Sequence, residues 1–306
     1  MDISRRTVIS GMAASVAMAP AARAWATTKV SLGEFDLFSV SDGNLVLPAQ
    51  FFFDGLPQDE LAVILKRYNV SQDQLEPPCN VTVLRSDTRV VLFDAGAGPG
   101  FMPTAGLLLD SLDAIGITPE DVTDVVFTHA HPDHIWGVLD DFDDLVFAEA
   151  TYWIGETEWT YWRDPQTVNT IGEARAAFAV GAQRRLDAIE PQIQMISPGQ
   201  EVLPGVLAIS SFGHTPGHLS FEVRQGNQGV LIGGDAIGNH HVAFARPEWP
   251  SGADQNAELA AQTRARLLDM LAADDTALLG FHLPQGGFGR VERDADAYKF
   301  VAGVAP

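Results

Sequence analysis

The stretch "FTHAHPDHIWG", residues 127–137, places His129, His131, Asp133 and His134 within six positions, in a chain of 306 residues that has only eight histidines. It follows an apolar run, "DVVF", that reads as a buried strand ending at 125–128. In extended backbone, residues two apart face the same side, so His129 and His131 can address one centre. Pro132 prevents the strand from continuing in register. Asp133 and His134, being neighbours, diverge and can serve a second centre. Imidazole and carboxylate are ligands that Zn²⁺ or a similar first-row ion accepts at about 2.0–2.2 Å. Two such ions about 3.5–4 Å apart can share one hydroxide. A solvated polar loop explains one of these histidines easily, and three with an aspartate poorly.

A two-metal site needs further ligands from distant strand ends, and three other segments offer them. "SFGHTPGHLS" (211–220) puts His214 in a Gly/Pro-rich turn, "GVLIGGDAIG" (229–238) ends an apolar run at Asp235, and "ALLGFHLP" (277–284) ends one at His282. His218 reads as a hydrogen-bonded supporting or turn residue rather than a ligand. His240 and His241 follow Asp235 too closely to reach the same ions and read as loop or pocket residues. Cys79, the only cysteine, excludes an intramolecular disulfide and thiolate-rich metal sites; beside Pro78 it reads as a small buried residue.

Around these segments the chain alternates strand-rich and helical blocks. Residues 81–96 read as a hairpin turning at 86–88, and 104–116 as a helix stopped by Gly116. Thr118 caps a short helix with Pro119 in its first turn. Residues 172–190 and 255–273 read as helices, 193–235 as mainly strands with a turn at Gly226-Asn227, and 276–282 as a short buried strand. This is the pattern of two sheets between helices, an α/β (α+β) chain without strict βαβ alternation.

The series H-x-H-x-D-H, G-H-T-P-G-H, G-G-D and a late strand-ending histidine resembles the motif set of the metallo-β-lactamase-fold hydrolase superfamily, and "LFDAG" (92–96) resembles its first motif. The likeness covers roughly 90–290. It implies a four-layer αββα sandwich of two mixed sheets. It also implies His129, His131 and His214 on one metal, Asp133, His134 and His282 on the other, and Asp235 bridging them. Asp94 would then orient the metal loop. The cofactor implied is two Zn²⁺ per chain, with Mn²⁺, Fe²⁺ or Co²⁺ as substitutes.

Within that superfamily, aspartate rather than cysteine at 235 and the histidine at 134 argue against the dominant zinc β-lactamases. Only 24 residues follow His282, which leaves no room for a glutathione-binding domain. The chain most resembles the lactonase and methyl-parathion-hydrolase-like branch. Residues 49–80 look like that branch's N-terminal extension, which covers the site or pairs subunits as a homodimer. The tail 280–301 resembles its closing hairpin, with a departure at Gln285-Gly286 that alters one pocket wall. Phe51, Phe52, Phe53, Trp136 and Trp153 are candidates to line an apolar pocket. The expected reaction is hydrolysis of a small ester or lactone, with phosphotriesters as promiscuous substrates and Asp133 or Asp235 shuttling the proton. A β-lactamase or phosphodiesterase on the same site is the alternative, and a non-catalytic metal-binding protein the second.

The rest of the composition sets bounds. Arg5-Arg6 before an Ala-rich stretch ending in Ala22-Arg23-Ala24 reads as a twin-arginine-type signal over 1–24. That predicts a periplasmic or secreted domain of 25–306. The formal charge is −21, becoming −23 without residues 1–24, because three arginines and one aspartate leave. Such a surface repels phosphate backbones and disfavours nucleic acid as a partner. Beyond the N-terminus no apolar stretch is long enough to span a bilayer.

Overall fold

The computed structural model describes residues 28–274 and 276–303; the segment read as an export signal lies outside them. Two seven-stranded sheets stack face to face. The first runs in chain order through Thr28–Leu32, Phe35–Asn44, Pro78–Arg85, Val90–Phe93, Asp124–Val126, Thr151–Gly155 and Ile193–Ile196. Its first four strands are antiparallel and its last four parallel. The second runs through Glu201–Leu203, Val206–Ser210, Leu219–Gln225, Gln228–Gly234, Ala277–Gly280, Phe288–Asp294 and Ala297–Ala302. There only Gln228–Gly234 and Ala277–Gly280 pair in parallel.

The central strands lack hydrophobic alternation because both faces are covered. Val91 and Phe93 point into the layer between the sheets, whereas Leu92 points to the helical side. In the second sheet Val230 and Ile232 face the other sheet, and Leu231 faces the helix Ala257–Asp274 through Leu267, Leu268 and Leu271. Three apolar layers between four structural layers give the αββα sandwich. A fourth cluster lies apart. There the helices Ala49–Phe53 and Gln58–Tyr68 pack through Phe53, Leu61 and Leu65 onto Val242.

The hairpin, the Thr118 capping box with Pro119, and the helix over 257–274 follow the sequence reading. Two elements are shorter than expected. The helix expected over 104–116 is confined to Leu108–Asp113. Its start is fixed by Asp42, whose carboxylate accepts the N–H groups of Leu108 (2.8 Å) and Ala97 (2.7 Å). The helix over 172–190 opens as a tight turn, Glu173–Arg175, and becomes regular at Ala176–Ile189.

Asp42 is fully buried, and Gly96 (φ 72°) passes so close that a Cβ there would lie 2.8 Å from its carboxylate. Burial raises the Asp42 carboxyl from 3.8 to about 6, against the pull of the Ala97, Leu108 and Gly106 N–H groups. The folded protein therefore keeps this proton over a range where the unfolded chain has released it. Stability falls as pH rises through that window, by about 3 kcal/mol at most. Asp42→Asn is expected to be less stable than wild type at pH 4, with the gap narrowing toward pH 7 in denaturant titrations. A gap independent of pH would show that Asp42 carries an ordinary carboxyl.

Candidate metal centre

At one edge of the sandwich, five loop ends converge. The chain leaves the ladder after Val126 because Asp94 captures it: its carboxylate accepts the Thr128 N–H at 2.7 Å and the Thr128 hydroxyl at 2.8 Å. Asp94 itself sits at φ 70°, a left-handed conformation that aspartate tolerates better than most residues. His131 then precedes the single helical turn Pro132–Ile135, with Pro132 at its first position. That turn rotates Asp133 and His134 away from His129 and His131. His214 lies in the turn between Val206–Ser210 and Leu219–Gln225, Asp235 directly follows Gln228–Gly234, and His282 follows Ala277–Gly280. Gly234 (φ 53°) allows the approach, since a Cβ there would lie 2.7 Å from the His218 ring.

These side chains form two groups that share Asp235: His129, His131, His214 and Asp235, and Asp133, His134, Asp235 and His282. In the first, His131 Nδ1 lies 3.0 Å from His129 Nε2 and 2.9 Å from His214 Nε2, and His214 Nε2 lies 3.3 Å from an Asp235 oxygen. In the second, His134 Nε2 lies 3.3 Å from Asp235, and His282 Nε2 lies 3.3 Å from both Asp133 and Asp235.

The partners behind the rings set which nitrogen faces inward. His134 Nδ1 donates to Asp94 at 2.8 Å, His214 Nδ1 to Asp254 at 3.0 Å, and His282 Nδ1 to the Pro78 carbonyl at 2.8 Å. The Thr128 hydroxyl, already donating to Asp94, accepts from His129 Nδ1 at 3.0 Å. These four rings thus turn Nε2 toward the shared space, whereas His131 presents Nδ1 and its Nε2 lies 3.4 Å from Gln255 Nε2.

Electrostatics point the same way. Burial pushes His129 and His131 well below the usual imidazole range, helped by His134 and His214 respectively. Burial alone would raise Asp133 and Asp235. The imidazoles of His134 and His282 outweigh it and hold both carboxyls well below their usual range. Reciprocally, burial opposes charge on His134 and His282, but Asp235 and Asp133 hold both well above the ordinary value. The buried carboxylates demand positive charge among the imidazoles. Asp133 Oδ2, Asp235 Oδ1 and His134 Nε2 are buried and have no hydrogen-bond partner. Buried polar atoms that converge without hydrogen bonds are costly unless a cation lies among them. The residues present therefore fit divalent metal ions.

His218 does not face that space. Its Nδ1 lies 2.8 Å from the Ser211 hydroxyl and its Nε2 accepts the Asp235 N–H at 3.0 Å, so it fixes the backbone at Asp235. His240 and His241 pack on Tyr68, and His241 also on Phe53. Cys79 is buried beside His282, and burial raises its thiol to about 12.

Above the centre lies a cleft lined by Leu45, Leu47, Phe51, Phe52, Phe53, Phe101 and Phe178, with His131, Asp133, Asp235 and His282 at its floor. All three consecutive phenylalanines line it. Trp136 and Trp153 do not. Trp136 packs on Phe101 at 5.4 Å with the Arg185 guanidinium 4.5 Å from its ring, and Trp153 lies in the layer between the sheets with its N–H on Asp124 at 3.0 Å. Gln285 is exposed and lies outside the cleft wall.

Sequence reasoning missed three supporting residues. Glu158, fully buried on the helix Glu156–Arg163, accepts the Ala130 N–H (3.0 Å), the Trp162 indole N–H (2.6 Å), the Thr215 hydroxyl (2.7 Å) and the Gly217 N–H (2.9 Å). One carboxylate thereby ties the His129–His131 segment to the His214 turn. Asp254 orients His214, and Arg264 holds Asp254 at 3.4 Å.

A two-sheet sandwich with an imidazole–carboxylate centre at its edge is the architecture of metal-dependent hydrolases. The chain belongs to the metallo-beta-lactamase superfamily, whose family model matches residues 76–282. Among solved structures, the dizinc quorum-quenching lactonase AidC, in complex with an N-hexanoyl-L-homoserine product, is 26% identical with a TM-score of 0.85, covering 92% of this chain and 98% of that one. AbOPH, a hydrolase of the beta lactamase superfamily, is also 26% identical, with a TM-score of 0.83 and the same coverage. A probable metal-dependent hydrolase from Staphylococcus aureus shares the fold at 19% identity and a TM-score of 0.70, covering 90% of this chain and all of that one. The Bacillus subtilis (strain 168) protein YobT is 28% identical over 160 residues, 52% of this chain; the chain spans 62% of YobT's length. Among the described residues no helix is long and apolar enough to cross a membrane.

Proposed function

We propose that the protein hydrolyses a small, largely apolar ester or lactone, using two divalent cations, zinc foremost, held by His129, His131, His214, Asp133, His134, His282 and the shared Asp235. The observation that carries this reading is the convergence of seven donors beneath an apolar cleft that His131, Asp133, His214, Asp235 and His282 line. Two bound cations supply a Lewis acid for the carbonyl and make water acidic enough to attack near neutral pH. The protein's own groups do the rest. The phenylalanines exclude bulk water and seat the apolar part of the substrate. Asp133 and Asp235 are the carboxylates at the reacting end, and one of the two takes up the proton as water adds and returns it to the leaving oxygen. In a lactone that oxygen stays attached, giving a hydroxy acid.

A cavity of about 160 Å³ favours a small molecule over a polymer, and the bound product of AidC favours a lactone. The acidic chain makes a nucleic-acid substrate unfavourable. Residues 1–24 are proposed to direct export and 49–80 to pair two copies. Cell fractionation and sedimentation test these two points.

The test of the reaction is proton release by the zinc-loaded protein on an aryl lactone, an acyl-homoserine lactone, methyl parathion and a β-lactam. Lactone turnover at least about tenfold above the other two classes is expected. Preferential β-lactam or phosphotriester cleavage would replace the substrate class proposed here.

A further inference from the structure

Asp254 does more than orient a ring. Its Oδ1 lies 3.0 Å from His214 Nδ1, and its Oδ2 lies 3.4 Å from Arg264 Nη1. Arg264, 4% exposed on the helix Ala257–Asp274, spends its other donors on the segment that precedes Asp254: Nε on the Pro247 carbonyl at 3.0 Å and Nη2 on the Trp249 carbonyl at 2.7 Å. The same segment is pinned at its end to the ligand turn. The Gln255 N–H donates to the His214 carbonyl at 3.0 Å, and the Asn256 N–H to the Gly213 carbonyl at 2.9 Å. Trp249, Pro250 and Ser251 line the cleft, and the Gly252 N–H reaches the Phe52 carbonyl at 3.3 Å. A single buried guanidinium therefore holds a cleft wall and the carboxylate behind a ligand at once.

We infer that Asp254 and Arg264 are positioning residues that couple metal occupancy of the three-histidine half of the centre to the order of the 247–255 cleft wall. The inference rests on reading that cluster as a metal centre. The physical link is the His214 ring. Coordination at Nε2 draws electron density from the imidazole and strengthens the Nδ1–H bond to Asp254. Whatever holds Asp254 in place must then strengthen the ligand by the same factor, because coupling between two equilibria is reciprocal. Lysine cannot replace the arginine here. One ammonium on a flexible stem does not reproduce a planar fork with three divergent acceptors. Asparagine at 254 keeps the size, but whichever way its amide turns, it faces either His214 or Arg264 with a donor.

The experiment uses the full chain loaded with zinc, comparing wild type with Asp254→Asn, Arg264→Lys and the double variant. Chelator competition counts how readily each ion leaves, and amide hydrogen exchange follows residues 247–256. One ion is expected to be lost roughly 10–100-fold more readily in each single variant, with the other unchanged. The double variant should lose no more than the worse single one. Zinc removal should speed exchange of 247–256 in wild type, whereas in the variants that segment should already exchange fast with zinc bound. Both ions held with wild-type affinity, or exchange at 247–256 indifferent to zinc, would overturn the coupling. So would faster exchange across the whole chain, which marks general destabilisation. If wild type itself takes up no zinc, the metal-centre reading fails, and this inference fails with it.

Discussion

Asp235→Ala should bind at most one zinc per chain instead of two and lose at least about 10³ in turnover. Asp235 is the one residue common to both ligand groups, so its loss removes a donor and a negative charge from each. Withdrawing Lewis-acid assistance worth several kcal/mol gives a rate loss of this order. The fold should survive, because the backbone at 235 is held by His218 Nε2 and not by the carboxylate. Without a cation the Asp235 carboxylate is balanced by the charged imidazoles of His134 and His282, and alanine leaves those charges with one carboxylate fewer. With zinc, wild type gains binding free energy that the variant forgoes, about 4 kcal/mol at a thousandfold excess over the dissociation constant. Melting in zinc should therefore place wild type well above the variant, and melting in chelator should narrow the gap. Two zinc ions retained in Asp235→Ala, by elemental analysis, would remove the aspartate from the bridging role. His131→Ala separates the halves. It should strip the ion of the three-histidine group and abolish turnover, while Asp133, His134 and His282 still hold the other.

The candidate ligands were legible in sequence because their segments follow strand ends, where an apolar run stops and polar residues face the sheet edge. Spacing within "HAHPDH" adds the rest: period two for one pair, a proline, then a turn that redirects the next pair. What supports the ligands was less visible, for two different reasons. Trp153 was misplaced although the information was present. In the strand Thr151–Gly155, Tyr152 and Ile154 face the helices, so parity alone sends Trp153 to the opposite, inter-sheet face. Asp42, Asp254 and Glu158 carried no such signal. An acid in a polar segment, or on a short helix, reads as solvated until the distant backbone it serves is known. Asp42 meets partners 55 and 66 residues away, and Asp254 meets one 40 away. The same long reach shortened the helix expected at 104–116, because its true first turn is set by a residue on another strand.

Glu158 gives the largest expected effect on stability. Among the described residues, its carboxylate is the one acceptor of four buried donors drawn from the His129–His131 segment, the His214 turn and its own helix. Glu158→Ala strands the Ala130 and Gly217 N–H groups and the Trp162 indole, and leaves a cavity too small and too polar to collapse cleanly. An unsatisfied buried donor costs about 1–3 kcal/mol, and relaxation of the loops recovers part of the sum, so a net loss of about 3–5 kcal/mol is expected. Gln at 158 keeps the volume and one acceptor oxygen but turns an NH₂ toward two donors, which should cost about half as much. Burial raises the Glu158 carboxyl, against the opposing pull of Thr215, Trp162 and the two backbone N–H groups. Part of the wild-type stability is therefore held at acid pH and falls as pH rises through the shifted value, while the glutamine variant lacks that slope. Denaturant unfolding of wild type, Glu158→Ala and Glu158→Gln at several pH values separates these effects. Losses below about 1 kcal/mol for alanine would mean that water or rearranged loops satisfy the four donors, and that the clamp between the two ligand segments is dispensable.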